Sequence, residues 1–171
     1  ALEPGWVSDL GHRLSVQNGR IQFARDDMGP RVGRAKAAPS VRPFPLAPGT
    51  DWEGITIRFY EPDDDGLPER AQIVVGQQLE WRTFAEMGMA DNRRVPAGPA
   101  QSWSHLVLLA KNGGELGWGD SNASDKARTM MHTVSAALKE VFRLESSPFH
   151  DYKKLRCWKA RPNLVYVRTG T

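Results

Sequence analysis

Arg70 to Met89 reads RAQIVVGQQLEWRTFAEMGM. Ala71 to Val75 is a short run rich in apolar and β-branched residues and predicts a strand. After a short polar link, Trp81, Phe84, Ala85 and Gly88 recur at i, i+3, i+4 and i+7. That spacing predicts a helix over 79–87 with one buried stripe, ending near Gly88.

Upstream, Ile55 to Tyr60 alternates, with Ile55, Ile57 and Phe59 on one side and Thr56, Arg58 and Tyr60 on the other, and predicts a strand. Between the two strands, Glu61-Pro62-Asp63-Asp64-Asp65-Gly66 reads as an exposed loop and lacks the spaced ligands of a calcium-binding loop. Further back, Asn18-Gly19 separates two alternating runs within Arg13 to Arg25, the strongest local signal for a two-residue hairpin. Its register would place Val16 opposite Ile21 and Leu14 opposite Phe23, leaving Arg13, Ser15, Gln17, Arg20 and Gln22 on a polar face. Residues 26–49 read as a long connection carrying Arg31, Arg34, Lys36 and Arg42.

Downstream, Asp91 to Gln101 is a Pro/Gly-rich loop with Arg93 and Arg94 adjacent. His105 to Ala110 and Glu115 to Gly119 flank Asn112-Gly113 and predict a second hairpin. Its glycines do not form a phosphate loop, because the lysine and the fixed spacing are missing. Ser124 and Asp125 begin a helix in which Ala127, Met130, Met131, Val134, Leu138, Val141 and Phe142 share one face. Asn163 to Arg168 predicts a last strand. The expected architecture is α+β, with strand pairs and helices in two related halves, about 1–90 and 91–147. A basic extension follows over 148–171. Helices on one side of a sheet would leave the other face open, holding Arg13, Arg20, Gln22 and Arg58.

Composition narrows the function. The chain has 171 residues and a net charge of +3 that is unevenly spread. Residues 1–50 carry +3, residues 51–90 carry −6 and residues 91–171 carry +6. From Pro148 onward six basic residues and one acid are interleaved with Phe149, Tyr152, Trp158 and Tyr166, a composition that suits phosphates and stacked bases. The single cysteine, Cys157, excludes an internal disulfide and any zinc site built on cysteine pairs, and favours a reducing compartment. No apolar run approaches the roughly 20 residues that span a bilayer, so no membrane partner is expected. The opening at Ala1 without a methionine fits a chain that has lost a targeting peptide, and equally removal of an initiator methionine before a small residue. His12, His105, His132 and His150 show no metal-ligand spacing, and no nucleophile lies in a catalytic motif. No catalytic residue, metal or cofactor is assigned, and the expectation is a protein that is not an enzyme.

The strand-to-helix reading of Arg70 to Met89 resembles the junction in single-stranded nucleic-acid-binding folds. These are the Whirly proteins, the Pur repeats and the Whirly-like mitochondrial guide-RNA-binding proteins of kinetoplastids. That resemblance implies a protomer of two four-strand-plus-helix units and assembly into homo- or hetero-oligomers, including a heterotetramer with a related subunit. It also implies a mitochondrial matrix location and single-stranded RNA, such as guide RNA, held on a basic sheet surface to promote annealing in RNA editing. The RNA-binding candidates are Arg13, Arg20, Arg34, Lys36, Arg58, Arg93 and Arg94. A second stretch, His105 to Phe142, is similar to the hairpin-plus-helix of a double-stranded-RNA-binding-like domain in a small-subunit ribosomal protein. It implies the alternative of a structural protein in a mitochondrial ribosome or similar assembly. An enzyme with an unrecognised site is the third reading.

Overall fold

A computed structural model describes the backbone of residues 14–17 and 20–23, and residues 40–117 and 125–169. The chain divides into two compact units, residues 1–37 and 38–171. In the first, β1 (Leu14–Gln17) and β2 (Arg20–Phe23) form an antiparallel pair with Leu14 opposite Phe23 and Val16 opposite Ile21, the register that the alternation predicts. The Asn18-Gly19 turn, Arg13, Arg31, Arg34 and Lys36 lie outside the described residues, as does the side chain of Arg20.

The second unit is α+β. Its strands are β3 (Ile55–Tyr60), β4 (Arg70–Val75) and β5 (Gln78–Thr83), then the two-residue β6 (Ala90–Asp91) and β7 (Gly98–Pro99). Helix α1 (Gln101–Lys111), β8 (Glu115–Gly117) and helix α2 (Asp125–Phe142) follow. A short α3 (Tyr152–Leu155), β9 (Cys157–Lys159) and β10 (Asn163–Val167) complete it. The main sheet has the order β10-β3-β4-β5; β3, β4 and β5 are antiparallel neighbours and β10 lies parallel to β3. On one face Ile55, Ile57, Phe59, Ala71 and Ile73 are completely buried. Helix α1 packs along β3 and β10, and α2 packs on α1.

The helix expected over 79–87 is instead strand β5. Gly76 has φ +58° and Gln77 follows with negative φ, the signature of a type II′ turn, which joins Val75 to its partner Gln78 in two residues. The hairpin then runs to Arg70 opposite Thr83. What resembled a helical period is one turn after the strand. Thr83 and Glu86 form a reciprocal cap: the Thr83 N–H donates to Glu86 Oε2 at 2.9 Å, and the Glu86 N–H donates to Thr83 Oγ1 at 3.2 Å. The turn is over by Gly88.

The hairpin expected over 105–119 is also corrected. His105 to Ala110 belong to α1, where Trp103, Leu106, Val107 and Ala110 are buried at i, i+3, i+4 and i+7. Asn112-Gly113-Gly114 ends that helix. Gly113 and Gly114 have φ of +65° and +84°, and the Gly114 N–H reaches back to the Leu109 carbonyl at 2.7 Å. The positive φ that an Asn-Gly hairpin turn would use at both residues is taken here by Gly113 and Gly114 to end a helix, while Asn112 keeps φ −98°. Strand β8 pairs with β9, far along the chain. Both substantial helices therefore come after the β3-β4-β5 meander, between β7 and β10. The strand at Ile55–Tyr60, the acidic loop, helix α2 and the last strand match their sequence readings.

Two segments expected to be peripheral are built into the unit. Residues 40–44, read as part of a long connection, form a strap: the Arg42 N–H donates to Glu86 O and the Phe44 N–H to Val141 O at 2.8 Å. Phe44 is buried against Phe142, ring centroids 5.8 Å apart. The basic segment from Pro148 docks through buried Phe149 and supplies β10 to the main sheet. Trp158 there packs with Tyr152, Phe149 and His132 at 4.9, 5.8 and 6.2 Å.

Candidate nucleic-acid interface

Strand alternation sends every second side chain of the main sheet away from the helices. The register aligns these side chains in three cross-strand rows. Val165, Arg58, Gln72 and Trp81 form the middle row. Asn163, Thr56, Val74 and Leu79 form a second, and Val167 and Tyr60 continue toward Arg70 and Thr83 in the third. These twelve residues include two arginines, a tryptophan and a tyrosine, and no carboxylate.

The aromatic centre of this face is Trp81, which remains 40% exposed. The Arg70 guanidinium lies 4.8 Å from its ring centroid, and the Tyr60 ring is tilted against it at 5.4 Å. The Tyr60 hydroxyl donates to Gln72 Oε1 at 3.0 Å, and Gln72 is itself buried, so the tyrosine is held by a fixed partner. Leu79, 53% exposed, adds apolar surface beside the tryptophan. Among the described residues neither Arg58 nor Arg70 is in an ion pair. A partly exposed ring with one unneutralised guanidinium beside it and a second in the same cross-strand row can stack a base and meet the adjoining phosphates.

Sequence reasoning found one member of this group, Arg58. The helical spacing would bury Trp81, but β5 turns it outward and sends Glu80 and Arg82 to the opposite side of the sheet. Arg82 is 1% exposed; it meets Glu80 Oε2 at 2.7 Å, donates to the Arg42 and Pro43 carbonyls at 3.4 Å and lies over the Phe44 ring. Arg70 and Tyr60 were also missed as site residues. The signal for β5 was the Gly-X dipeptide at 76–77 followed by strict alternation from Gln78 to Thr83.

Arg93 and Arg94 sit on the loop between β6 and β7, not on this sheet. Both are held by Asp91. Arg93 is bidentate, with Nε and Nη2 at 2.8 and 3.1 Å, and Arg94 Nε lies at 3.8 Å. Pairing with Arg93 holds the Asp91 carboxyl below its ordinary value. In the C-terminal segment Lys159 pairs with Glu115 at 2.7 Å and Arg161 with Glu53 at 2.8 Å, so two of its six cations are spoken for locally.

No family model, curated protein or solved structure matches this chain. The likeness to the Whirly proteins rested on a strand running into a helix at Arg70 to Met89, and that stretch is a hairpin. The likeness to the ribosomal module rested on a hairpin at 105–119, where the first half is α1. Among the described residues no cluster of three or more His, Cys, Asp or Glu side chains is placed to hold a metal ion, and no helix is long and apolar enough to cross a membrane.

Proposed function

We propose that this protein binds single-stranded nucleic acid, RNA foremost, on the face of the β10-β3-β4-β5 sheet turned away from α1 and α2. The observation that carries the reading is Trp81: a large aromatic ring left 40% exposed on a twelve-residue face with two arginines and no acid. Trp81 and Tyr60 supply stacking surface, Arg58 and Arg70 meet phosphates, and Gln72 fixes Tyr60. Stacking turns bases toward the protein, so the mechanism is holding a strand open. The annealing role expected from the sequence would need bases turned to solvent instead.

Fluorescence anisotropy with a labelled unstructured RNA oligomer over a salt series tests the proposal. Trp81→Ala should weaken binding by about 5- to 150-fold, the span of one lost stacking contact. Arg58→Gln should lower the slope of log affinity against log salt by about 0.7, one phosphate contact on a single strand. Arg93→Gln, on a separate loop and already paired, should leave the slope unchanged. Salt-insensitive binding, or binding unaffected by Trp81→Ala in a folded variant, would overturn the reading.

A further inference from the structure

The main sheet ends on β5, whose outer edge pairs with no other strand among the described residues and whose backbone polarity can be read from its neighbours. The Phe84 N–H donates to Glu69 O at 3.1 Å, so Phe84 is turned toward β4. Antiparallel ladders alternate, and Arg82, Glu80 and Gln78 are therefore also turned inward, while Leu79, Trp81 and Thr83 present their N–H and C=O groups at the edge. Thr83 is satisfied within the chain: its N–H goes to Glu86 Oε2 and its carbonyl receives the Met87 N–H at 3.0 Å. Among the described residues no backbone or side-chain group bonds the edge-facing groups of Leu79 and Trp81. These two residues are also among the exposed large hydrophobic side chains of the protein.

We infer that β5 pairs with β5 of a second copy of this chain, antiparallel and about a twofold axis at Glu80. That register sets Leu79 opposite Trp81 of the second copy and Trp81 opposite its Leu79. Four hydrogen bonds form, using the two donors and two acceptors that each edge offers and leaving the occupied Thr83 outside. The same register lays each exposed leucine against a tryptophan, the apolar–aromatic pairing that stabilises neighbouring strands. On the helix side the two Glu80 carboxylates meet, each already 2.7 Å from its own Arg82, and the Arg82 of the other copy is its diagonal neighbour. Two acids between two buried guanidiniums give a neutral, self-complementary cluster. A register centred on Trp81 would need the Thr83 donor that Glu86 holds. Edges that carry apolar side chains recruit strands unless charge, proline or a bulge blocks them; the outward side chains here are Leu79, Trp81 and Thr83, and the inward charges, Glu80 and Arg82, are the ones that the twofold cluster neutralises. The pairing joins two four-stranded sheets into one of eight strands and does not depend on nucleic acid.

Sedimentation velocity across a protein concentration series, without RNA, tests this. A dimer of twice the 19.1 kDa chain is expected at high concentration, dissociating on dilution. Leu79→Pro removes one edge donor per chain without touching the β4 ladder, and should weaken self-association about thirtyfold. Leu79→Glu, which sets a carboxylate against the facing indole, covers the case in which the proline variant does not fold, and should weaken association at least as much. Amide hydrogen exchange should show the Leu79 and Trp81 N–H groups protected in the dimer and not in the dissociated chain. A monomer at every concentration overturns the inference. So does a dimer whose Leu79 and Trp81 amides exchange freely, or one that folded Leu79→Glu leaves intact.

Discussion

Trp52 and Trp103 are both completely buried, and each indole N–H donates to a backbone carbonyl, yet their replacement by phenylalanine should differ in cost. Trp103 Nε1 donates to Pro68 O at 2.6 Å and Trp52 Nε1 to Ser146 O at 3.1 Å. Pro68 is buried and Ser146 is exposed. Either substitution deletes ring volume, which costs about 1–2 kcal/mol where the core relaxes only partly. Trp103→Phe then strands a carbonyl in the core, for about 1–3 kcal/mol more, whereas in Trp52→Phe water can take the place of the lost donor, for about 0.5–1.5 kcal/mol. Trp103 also gives up part of its edge-on contacts with Phe59 at 5.2 Å and Phe84 at 6.3 Å. The expected totals are roughly 2–5 kcal/mol for Trp103→Phe and roughly 1.5–3.5 kcal/mol for Trp52→Phe. Urea titration followed by far-ultraviolet circular dichroism measures both. With a slope of about 1–3 kcal/mol per molar, a difference of about 1 kcal/mol separates the midpoints by several tenths molar. Equal midpoints for the two variants, or a lower one for Trp52→Phe, would refute the reasoning that the buried Pro68 carbonyl depends on Trp103 while water can replace Trp52 at Ser146.

Two further outcomes follow from the β5 hairpin. Glu86 is held below its ordinary pKa first by the Thr83 N–H, so its contribution to stability is complete above the unfolded carboxylate pKa and is lost as pH falls through the folded value. Glu86→Gln should therefore cost about 0.5–1 kcal/mol near pH 7, and the gap from wild type should close below about pH 4, as read by thermal melts at the two conditions. Gly76→Ala meets no atom within 4 Å but must adopt φ +58°, so it should destabilise by about 1–2 kcal/mol through backbone strain alone. Gly98→Ala also meets nothing within 4 Å and has no positive φ, and should be close to neutral in the same denaturation assay.

The elements legible in the sequence are those whose side-chain pattern agrees with their burial. In β3, Ile55, Ile57 and Phe59 alternate with Thr56, Arg58 and Tyr60, and the structure buries the first set and leaves the second partly open. In α2 the apolar residues keep helical spacing because one stripe faces α1, and the β1–β2 register follows from Asn18-Gly19 and the alternation around it. Strand β5 was illegible for the opposite reason. Its apolar residues, Leu79 and Trp81, face outward, and its charged residues, Glu80 and Arg82, face the side that helices cover elsewhere in the sheet. Alternation was present, but the polarity is inverted.

The α+β class, the strand faces around Arg58, the acidic turn and the amphipathic helix ending at Phe142 are readable from residue order alone, because short-range sterics and hydrophobic periodicity act through neighbouring residues. Only the tertiary structure decided that Gln78 to Thr83 pairs with β4, that β10 joins β3 from more than a hundred residues away, and that Trp81, Tyr60, Arg70 and Arg58 share one face. The physical reason lies chiefly in partners remote in sequence, Arg42, Pro43 and Phe44, that join the nearby Glu80 around Arg82. Arg82 points inward because the Glu80 carboxylate and the Arg42 and Pro43 carbonyls receive it beside the Phe44 ring, and that inward turn leaves Trp81 at the surface.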